Sequence, residues 1–243
     1  MPLLEGRGLC VDYGRVRALA GVDVEIEERQ VIGLFGPNGS GKTTLLDVLG
    51  GLRRPTAGEV RFDGALVTGK RPRAFGSLGI GRTFKIPRLF AGLNVLDSVL
   101  VGVTFNTRQK LFRAADRQRE GERLLGIVEL TDKAGALASE LSLGQMKRLE
   151  LAVALSTRPR LLLLDELASG LSPRGRAEVV HFYGRLRERG LTIVAVEHSA
   201  GTLARVADRL LLLDKGVIAA DGPPSAVLAS PRVAQAYLGD GDG

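Results

Sequence analysis

The chain has 243 residues, of which 44% are hydrophobic and 25% are charged, and its formal net charge is +7. This composition suits one globular domain, with or without a subdomain. No apolar run approaches the roughly 18 residues that a membrane-spanning helix needs, and the amino terminus lacks the pattern of a secretory signal. These features favour a cytoplasmic protein.

The surplus of positive charge predicts an anionic partner, and a nucleotide, an anionic lipid surface or a nucleic acid would each satisfy it. Part of that charge lies between residues 108 and 123, where acidic residues interrupt it and no ladder of aromatic side chains accompanies it. We interpret this run as a solvated helix face and expect no nucleic-acid partner. The one cysteine, Cys10, cannot form an internal disulfide and is predicted to be a buried structural thiol.

The first third of the chain shows short apolar stretches separated by turn residues, a pattern typical of strands. Between about Leu89 and Ser156, apolar residues recur instead at helical spacing. The predicted amino-terminal strands are Gly8 to Tyr13, Val22 to Ile26, Val31 to Phe35 and Glu59 to Phe62.

The last third alternates between strand and helix. Leu161 to Leu164 and Leu191 to Val196 are predicted buried strands, and the helix between them begins at Ser172-Pro173. A hairpin is predicted at residues 214–216. We therefore expect an α/β fold in one domain of residues 1–243: a mostly parallel sheet, an antiparallel amino-terminal β region and a helical subdomain inserted at roughly 86–157. The tail, residues 239–243, is expected to fray.

Residues 36 to 43 match the phosphate-binding pattern G-x-x-x-x-G-K-[ST] completely, between a short apolar strand and a helical stretch. Glycines let backbone N–H groups close around phosphate, and the helix start adds a favourable dipole. Lys42 is placed to reach the β- and γ-phosphates, and the Thr43 hydroxyl can ligate Mg²⁺. The pattern indicates a P-loop NTPase core that binds nucleotide through Gly36, Pro37, Asn38, Gly39, Ser40, Gly41, Lys42, Thr43 and Thr44.

The apolar strand Leu161 to Leu164 ends in two carboxylates, Asp165 and Glu166. Parallel strands deliver such side chains to the edge of the sheet where the phosphate loop also lies. Asp165 is predicted to hold Mg²⁺, and Glu166 to act as the general base on the attacking water. The alternative interpretation of these two residues is a solvated acidic turn after a strand. The complete phosphate loop in the same chain weighs against it.

Residues 141–145, Leu-Ser-Leu-Gly-Gln, resemble the LSGGQ signature of the ATP-binding cassette (ABC) proteins, with Leu143 at the first glycine. Ser142 and Gln145 also have the spacing of a capping box, which would merely start a helix. A helix start that carries Ser and Gly is equally an anion site. The resemblance implies that Ser142, Gly144 and Gln145 dock on the γ-phosphate of ATP held by a partner subunit.

The resemblance extends to three further positions. His198 resembles the switch histidine that contacts the γ-phosphate in this family. Tyr13 resembles the aromatic residue that stacks on adenine, and stacking tolerates any aromatic ring. Residues 169–172 resemble the loop that crosses the dimer interface, without its common aspartate.

Some features resemble one branch of the family, the ATPase subunits of branched-chain amino-acid importers. They are residues 79–84, 88–90, 93–95, 149–152 and 236–239. ATPases for urea or amide import and for lipopolysaccharide export share several of them and remain alternatives. So does a soluble cassette acting in translation or DNA repair, although the chain has neither a second cassette nor a long coiled coil. The signature argues against a small-molecule kinase. The chain also lacks the N-K-x-D motif that would indicate a GTPase.

The resemblance implies an ATPase that uses ATP and Mg²⁺ and pairs with a second ABC ATPase subunit, identical or different. It also implies a transmembrane permease, a solute-binding protein acting through it, and a peripheral location on the inner face of the membrane. A further position departs from the family: Lys85 stands where a glutamine normally touches Mg²⁺. We expect Lys85 either to point away from the metal or to approach the γ-phosphate, because an ammonium cannot ligate a cation.

Overall fold

The computed structural model describes residues 1–105 and 113–238. Two basic residues of the predicted helix face, Arg108 and Lys110, lie outside the described residues. So does the tail of residues 239–243, for which the sequence predicts fraying.

The strands of the described residues form two sheets. In chain order they are β1 (Leu4–Tyr13), β2 (Val16–Ile26), β3 (Val31–Phe35), β4 (Ala57–Phe62), β5 (Ala65–Leu66), β6 (Ile80–Arg82), β7 (Leu161–Asp165), β8 (Thr192–Val196), β9 (Arg209–Asp214) and β10 (Val217–Gly222).

Helices alternate with these strands in the second half of the chain. In chain order they are α1 (Lys42–Leu49), α2 (Pro72–Leu78), α3 (Val95–Phe105), α4 (Ala114–Ile127), α5 (Leu143–Ser156), α6 (Pro173–Glu188), α7 (Ala200–Ala204), α8 (Pro224–Leu228) and α9 (Pro231–Leu238). In the described residues, no helix is both long enough and apolar enough to cross a membrane.

The larger sheet has the strand order β10-β9-β3-β8-β7-β6. All neighbouring strands are parallel except β10, which runs antiparallel to β9. The mostly parallel sheet is therefore confirmed. Since β3 and β7 are parallel and only β8 separates them, the loops that follow both strands leave the same edge of the sheet.

The smaller sheet is antiparallel, in the order β2-β1-β4-β5, which confirms the predicted amino-terminal region. Strand β1 begins at Leu4, earlier than the predicted Gly8. Its pairing with β2 shifts register three times between Gly6 and Asp12. Such bulges interrupt the alternation of apolar and polar side chains, which concealed the first half of the strand.

Two apolar cores lie on opposite faces of the larger sheet. In β7, Leu162 and Leu164 pack in the core that includes the helices α3, α4 and α5, whereas Leu161 and Leu163 pack in the core that includes the smaller sheet. Both faces of β7 are thus covered, which explains its unbroken run of leucines.

Helices α3, α4 and α5 lie between β6 and β7 in the chain, within the segment predicted to be helical. Two single 3₁₀ turns, Thr131–Lys133 and Ala138–Glu140, connect α4 to α5. An isolated bridge between Asn94 and Leu137 ties the start of α3 to this connection. Whether residues 86–157 act as a subdomain stays a prediction.

Local signals account for several element boundaries. Ser172 caps α6 by accepting the N–H of Gly175, with Pro173 in the first turn, and the hairpin turn has positive φ at Lys215 and Gly216. The short helices α2, α7, α8 and α9 were not predicted. Cys10 is half-buried rather than buried, because its pairing partners are the small residues Ala20 and Ala57.

Candidate nucleotide site

The loop between β3 and α1 depends on glycines that pack against neighbouring backbone. A Cβ on Gly36 would lie 1.9 Å from the carbonyl oxygen of Leu213, and one on Gly41 would lie 2.4 Å from that of Ala18. Both glycines have positive φ, 148° and 106°, which side chains disfavour. At Gly36 and Gly41 the loop therefore lies closer to neighbouring backbone atoms than a residue with a Cβ atom could lie.

Helix α1 begins at Lys42 without a side-chain cap, because its N-cap residue is Gly41. The first N–H groups of a helix have no partner within the helix, and the helix dipole favours negative charge there. Asn38 and Gly39 are exposed at the tip of the loop, while Ser40 is buried beneath it. This arrangement can receive a phosphate group.

The Lys42 side chain is almost fully buried against the loop. Its Nζ donates to the carbonyl oxygens of Gly36 at 2.8 Å and Pro37 at 2.6 Å, and to Ser40 Oγ at 3.4 Å. Burial lowers the pKa of Lys42, and the charge of Glu166 opposes that shift. The loop therefore places a cation beside its own N–H donors.

A cavity of about 180 Å³ lies beside the loop. The loop and the start of α1 bound it on one side, and Lys85 and Glu166 bound it on the other. The structure thus joins the phosphate loop to a carboxylate more than a hundred residues away in the chain. The lining residues are Ala18, Asn38, Gly39, Gly41, Lys42, Thr43, Thr44, Lys85 and Glu166.

Asp165 ends β7 and is buried. Its N–H donates to Thr83 Oγ1 at 3.2 Å, and its Oδ2 lies 3.6 Å from Nη2 of Arg82, which also contacts Asp47 Oδ1 at 2.7 Å. Burial raises the pKa of Asp165, and the charge of Arg82 opposes that rise. The other oxygen, Oδ1, has no hydrogen-bond partner among the described residues. A buried oxygen of this kind fits a cation or a cation-bound water.

Glu166 lies at the point where β7 turns into the next loop, with φ of 51°. Its N–H donates to the Val196 carbonyl at 2.9 Å, and its buried carboxylate lies 3.0 Å, Oε2 to Nε2, from His198. Burial alone would raise the pKa of Glu166, but hydrogen bonds and charges from Lys85 and His198 lower it overall. The carboxylate is therefore held ionised beside the phosphate loop.

Lys85 is a further partner of the Glu166 carboxylate. Its Nζ lies 3.0 Å from Oε2 and donates to Oε1 at 3.2 Å. The sequence led us to expect that Lys85 would point away from the metal or approach a phosphate, and it did not predict this pairing. Residue type alone could not reveal the pairing, because it requires the loop after β6 to meet the end of β7.

The signature turn, residues 141–145, forms side chain–backbone hydrogen bonds within itself. The Ser142 N–H donates to Gln145 Oε1 at 2.9 Å and the Gln145 N–H donates to Ser142 Oγ at 3.4 Å, so the predicted capping box is present. Gly144 is open, since an added Cβ would meet only Leu171, at 3.5 Å. None of these three residues lines the cavity beside the phosphate loop. Two of them, Ser142 and Gly144, line instead a second cavity, of about 230 Å³, between α5 and α6.

Residues 19–169 match the family described as ABC transporter, and this segment contains the phosphate loop, the signature turn and the Asp165-Glu166 pair. The chain belongs to the ABC transporter family. It is an ATP-binding cassette ATPase, in agreement with the resemblance that the motifs carry.

Curated relatives of this cassette match it along nearly its whole length. The high-affinity branched-chain amino acid transport ATP-binding protein BraF of Pseudomonas aeruginosa is 36% identical and covers 98% of both chains. The corresponding protein LivG of Escherichia coli is 32% identical over the same shares. The glutamine transport ATP-binding protein GlnQ of Escherichia coli is 34% identical over 94% of this chain and 95% of its own.

Solved structures agree in fold. The cassette resembles the ADP conformation of an ATP-binding cassette of an ABC transporter, with a TM-score of 0.86, 28% identity and coverage of 98% and 99% of the two chains. It also resembles a dimeric cassette in a post-hydrolysis state bound to ADP and phosphate. There the TM-score is 0.83, the identity is 25%, and the shares covered are 91% and 98%.

Tyr13 lies at the outer end of the phosphate loop of the cassette. Its hydroxyl is 3.5 Å from Thr44 Oγ1, and the guanidinium of Arg53 covers one face of its ring at 4.1 Å from the centroid. Tyr13 as a residue is 42% exposed. Tyr13 is therefore placed where a base could stack, with a cation already behind it.

Three buried charged groups that the sequence analysis did not single out hold the site together. Lys147 of α5 donates from Nζ to the carbonyl oxygens of Glu166 at 2.6 Å and Ser169 at 2.7 Å. Glu150, one helical turn later, accepts the N–H groups of Phe84 at 3.0 Å and Arg88 at 2.8 Å. The opposite charges of Lys147 and Glu150 at i, i+3 spacing in α5 were the available signal.

The third group is Glu197, which precedes His198. Its Oε1 accepts the Tyr183 hydroxyl at 2.7 Å and the Ala168 N–H at 3.0 Å. Burial raises the pKa of Glu197, and these hydrogen bonds oppose the rise. Glu197 thereby holds the loop after Glu166 in place relative to the end of β8, and His198 is the next residue after Glu197.

Proposed function

We propose that this cassette drives a membrane importer of branched-chain amino acids or of a similar small polar solute. The relatives named for branched-chain amino acids cover the chain almost completely, and one named for glutamine is comparably similar. The observation that supports the ATPase site is the shared cavity, in which the loop N–H groups and Lys42 face the carboxylate of Glu166.

In this proposal the phosphates of ATP bind the loop of residues 36–43, and Lys42 donates to the β- and γ-phosphates. Glu166 accepts a proton from the attacking water, for which its lowered pKa keeps it ionised at neutral pH. His198, now 3.0 Å from Glu166, donates to the γ-phosphate. Tyr13 stacks on the adenine ring.

Thr43 and Asp165 would hold Mg²⁺. Thr43 is exposed at the cavity, and the unpartnered Oδ1 of Asp165 suits a hard cation directly or through water. Mg²⁺ bound there would offset the charge of the phosphates. The chain's own contribution is orientation, because Arg82 and Thr83 hold Asp165 at the end of β7.

The signature turn completes the site of a second cassette in this proposal. Ser142, Gly144 and Gln145 lie away from the cavity of their own chain, and Gly144 is open. A partner ATPase subunit, identical or different, would present its nucleotide to this turn. The similarity to a dimeric cassette supports the pairing.

A permease would contact the loop that follows Lys85. Two large apolar side chains are exposed there, Ile86 at 80% and Phe90 at 56%. Glu150 ties the backbone of the same loop to α5, so that motion of residues 86–157 as a subdomain would carry it. The cassette would then lie at the inner face of the membrane, with a solute-binding protein acting through the permease.

The test is purification of the cassette from its native membranes, followed by identification of what accompanies it. We expect permease subunits, and ATP hydrolysis stimulated by a branched-chain amino acid with its binding protein in reconstituted vesicles. ATP hydrolysis stimulated by urea, or extraction of lipopolysaccharide from the vesicles, would show that the transported substance is different from the proposed one. Recovery with ribosomes or DNA and without a permease would contradict the transport role.

A further inference from the structure

The pairing of Lys85 with Glu166 joins a half-exposed cation to a buried carboxylate. The side chain of Lys85 is 52% exposed and that of Glu166 is 3% exposed. Both oxygens of Glu166 lie within 3.2 Å of the Lys85 ammonium. An oxygen engaged in this way is less available to accept a proton from water.

Glu166 is the fixed member of the pair. Its N–H is bonded to the Val196 carbonyl, and its own carbonyl accepts the buried ammonium of Lys147 at 2.6 Å. Lys85, by contrast, has a long side chain that reaches Glu166 from the surface. If the pair separates, the Lys85 side chain is the part that moves.

The backbone beneath Lys85 is anchored as well. Glu150 accepts the N–H groups of Phe84 and Arg88, on either side of Lys85. The loop is therefore held relative to α5, and separation of the pair requires no more than movement of the methylene chain and ammonium of Lys85.

The terminal phosphate of ATP, which the proposed function places in the same cavity, would be a stronger partner for Lys85 than Glu166. Lys85 lines the cavity together with Lys42, and the two ammonium groups are close enough for the charge of Lys85 to lower the pKa of Lys42. The terminal phosphate of ATP carries more negative charge than one carboxylate, and a lysine binds phosphate as a point charge without fixed geometry.

We propose that Lys85 exchanges partners during the reaction: it pairs with Glu166 before ATP binds and with the terminal phosphate of ATP afterwards, which frees Glu166 to activate water. ADP lacks the terminal phosphate and leaves the pair intact. The base is thereby released only by the nucleotide that can be hydrolysed. This inference rests on the proposed roles of Lys42 and Glu166.

A double-mutant cycle on nucleotide binding tests the exchange without turnover. The four proteins are the wild type, Lys85→Gln, Glu166→Gln and the double variant. Their dissociation constants for ADP and for the non-hydrolysable β,γ-imido analogue of ATP are measured by calorimetric titration with Mg²⁺. We expect Glu166→Gln to tighten the analogue about tenfold when Lys85 is present and less than about twofold when it is absent. ADP binding should change little in all four.

Two further variants are controls. Lys85→Arg keeps the charge and should preserve most of the coupling, while Lys70→Gln removes one exposed positive charge elsewhere and should behave as the wild type. Unchanged thermal unfolding of each variant would exclude misfolding. Additive effects of the two substitutions, or equal tightening of ADP, would overturn the exchange. A wild-type protein that binds neither nucleotide would instead refute the proposed site itself.

Discussion

The phosphate loop and the signature turn are both glycine-containing starts of helices in one chain, and they are built in opposite ways. Helix α1 begins after Gly41 with no side-chain cap. Helix α5 begins after Ser142 with a complete capping box to Gln145. No side chain of the first helix start caps its N–H groups, whereas in the second the Ser142 hydroxyl accepts the N–H of Gln145.

The difference indicates which part of the site is complete within one chain. The phosphate loop faces Glu166 across a cavity of its own chain, held by close packing of Gly36 and Gly41. The signature turn faces away from that cavity, and its polar side chains are occupied with each other. Substitutions in the first region should affect nucleotide binding, and those in the second should affect turnover without changing nucleotide binding by the isolated chain.

The largest effect is expected from Lys42→Ala. It removes the cation beside the loop N–H groups and leaves the Gly36 and Pro37 carbonyls without their donor. We expect no measurable productive ATP binding by calorimetric titration. Lys70→Ala, which removes an exposed lysine, should bind ATP normally. Wild-type affinity in Lys42→Ala would show that the phosphates bind elsewhere.

Glu166→Gln should leave the loop half of the site able to bind ATP while nearly stopping hydrolysis. The amide has the shape of the carboxylate but cannot accept the proton, and general-base catalysis contributes roughly 10²–10⁴-fold. Phosphate release measures the rate, and size-exclusion chromatography with ATP should show accumulated dimers. Near-normal turnover would assign the base to another group.

Ser142 sharpens the comparison, because a cap and a phosphate contact respond differently to charge. Ser142→Asp keeps a good N-cap and should retain stability, whereas Ser142→Ala should lose about 1 kcal/mol in urea unfolding. Both should lower ATPase turnover, by roughly 10²-fold if one phosphate donor is lost. Binding of nucleotide to the isolated chain should not change. Full turnover in Ser142→Asp would restrict Ser142 to capping.

Motifs contained in one stretch of chain could be predicted from the sequence, and contacts between stretches could not. The phosphate loop, the strand that ends in Asp165 and the Ser142 capping box are local patterns, and the structure bears out their geometry. The partners of Lys85 and Glu150 depend on how the loop after β6 meets β7 and α5. Neither residue type nor spacing specifies that meeting, so the ion pair and the loop anchor were missed.

Glu150→Gln tests the loop anchor, which links the two regions. A carboxylate accepts both the Phe84 and the Arg88 N–H groups, whereas an amide offers one oxygen and turns an NH₂ group toward the other donor. Leaving one half-buried N–H unpaired should cost about 1 kcal/mol in urea unfolding and speed hydrogen exchange at that amide. Glu188→Gln, at the exposed end of α6, is the matched control. Unchanged exchange at both amides would contradict the anchor.

The smallest effect is expected at Tyr13, at the margin of the loop region. Its hydroxyl makes only a long contact with Thr44, so Tyr13→Phe should bind ATP as the wild type does. Tyr13→Ala removes the ring on which the base is proposed to stack, and a tenfold loss of affinity corresponds to about 1.4 kcal/mol. Stacking contacts of this size predict a loss of about 2- to 10-fold.

Because stacking does not read the edge of the base, Tyr13→Ala should weaken the binding of ATP and of GTP by the same factor in calorimetric titrations. Arg53→Ala, which uncovers the other face of the ring, should have a smaller effect in the same direction if Arg53 supports the ring. A Tyr13→Ala variant that binds both nucleotides as tightly as the wild type would show that the adenine lies elsewhere, and that phosphate contacts alone determine affinity.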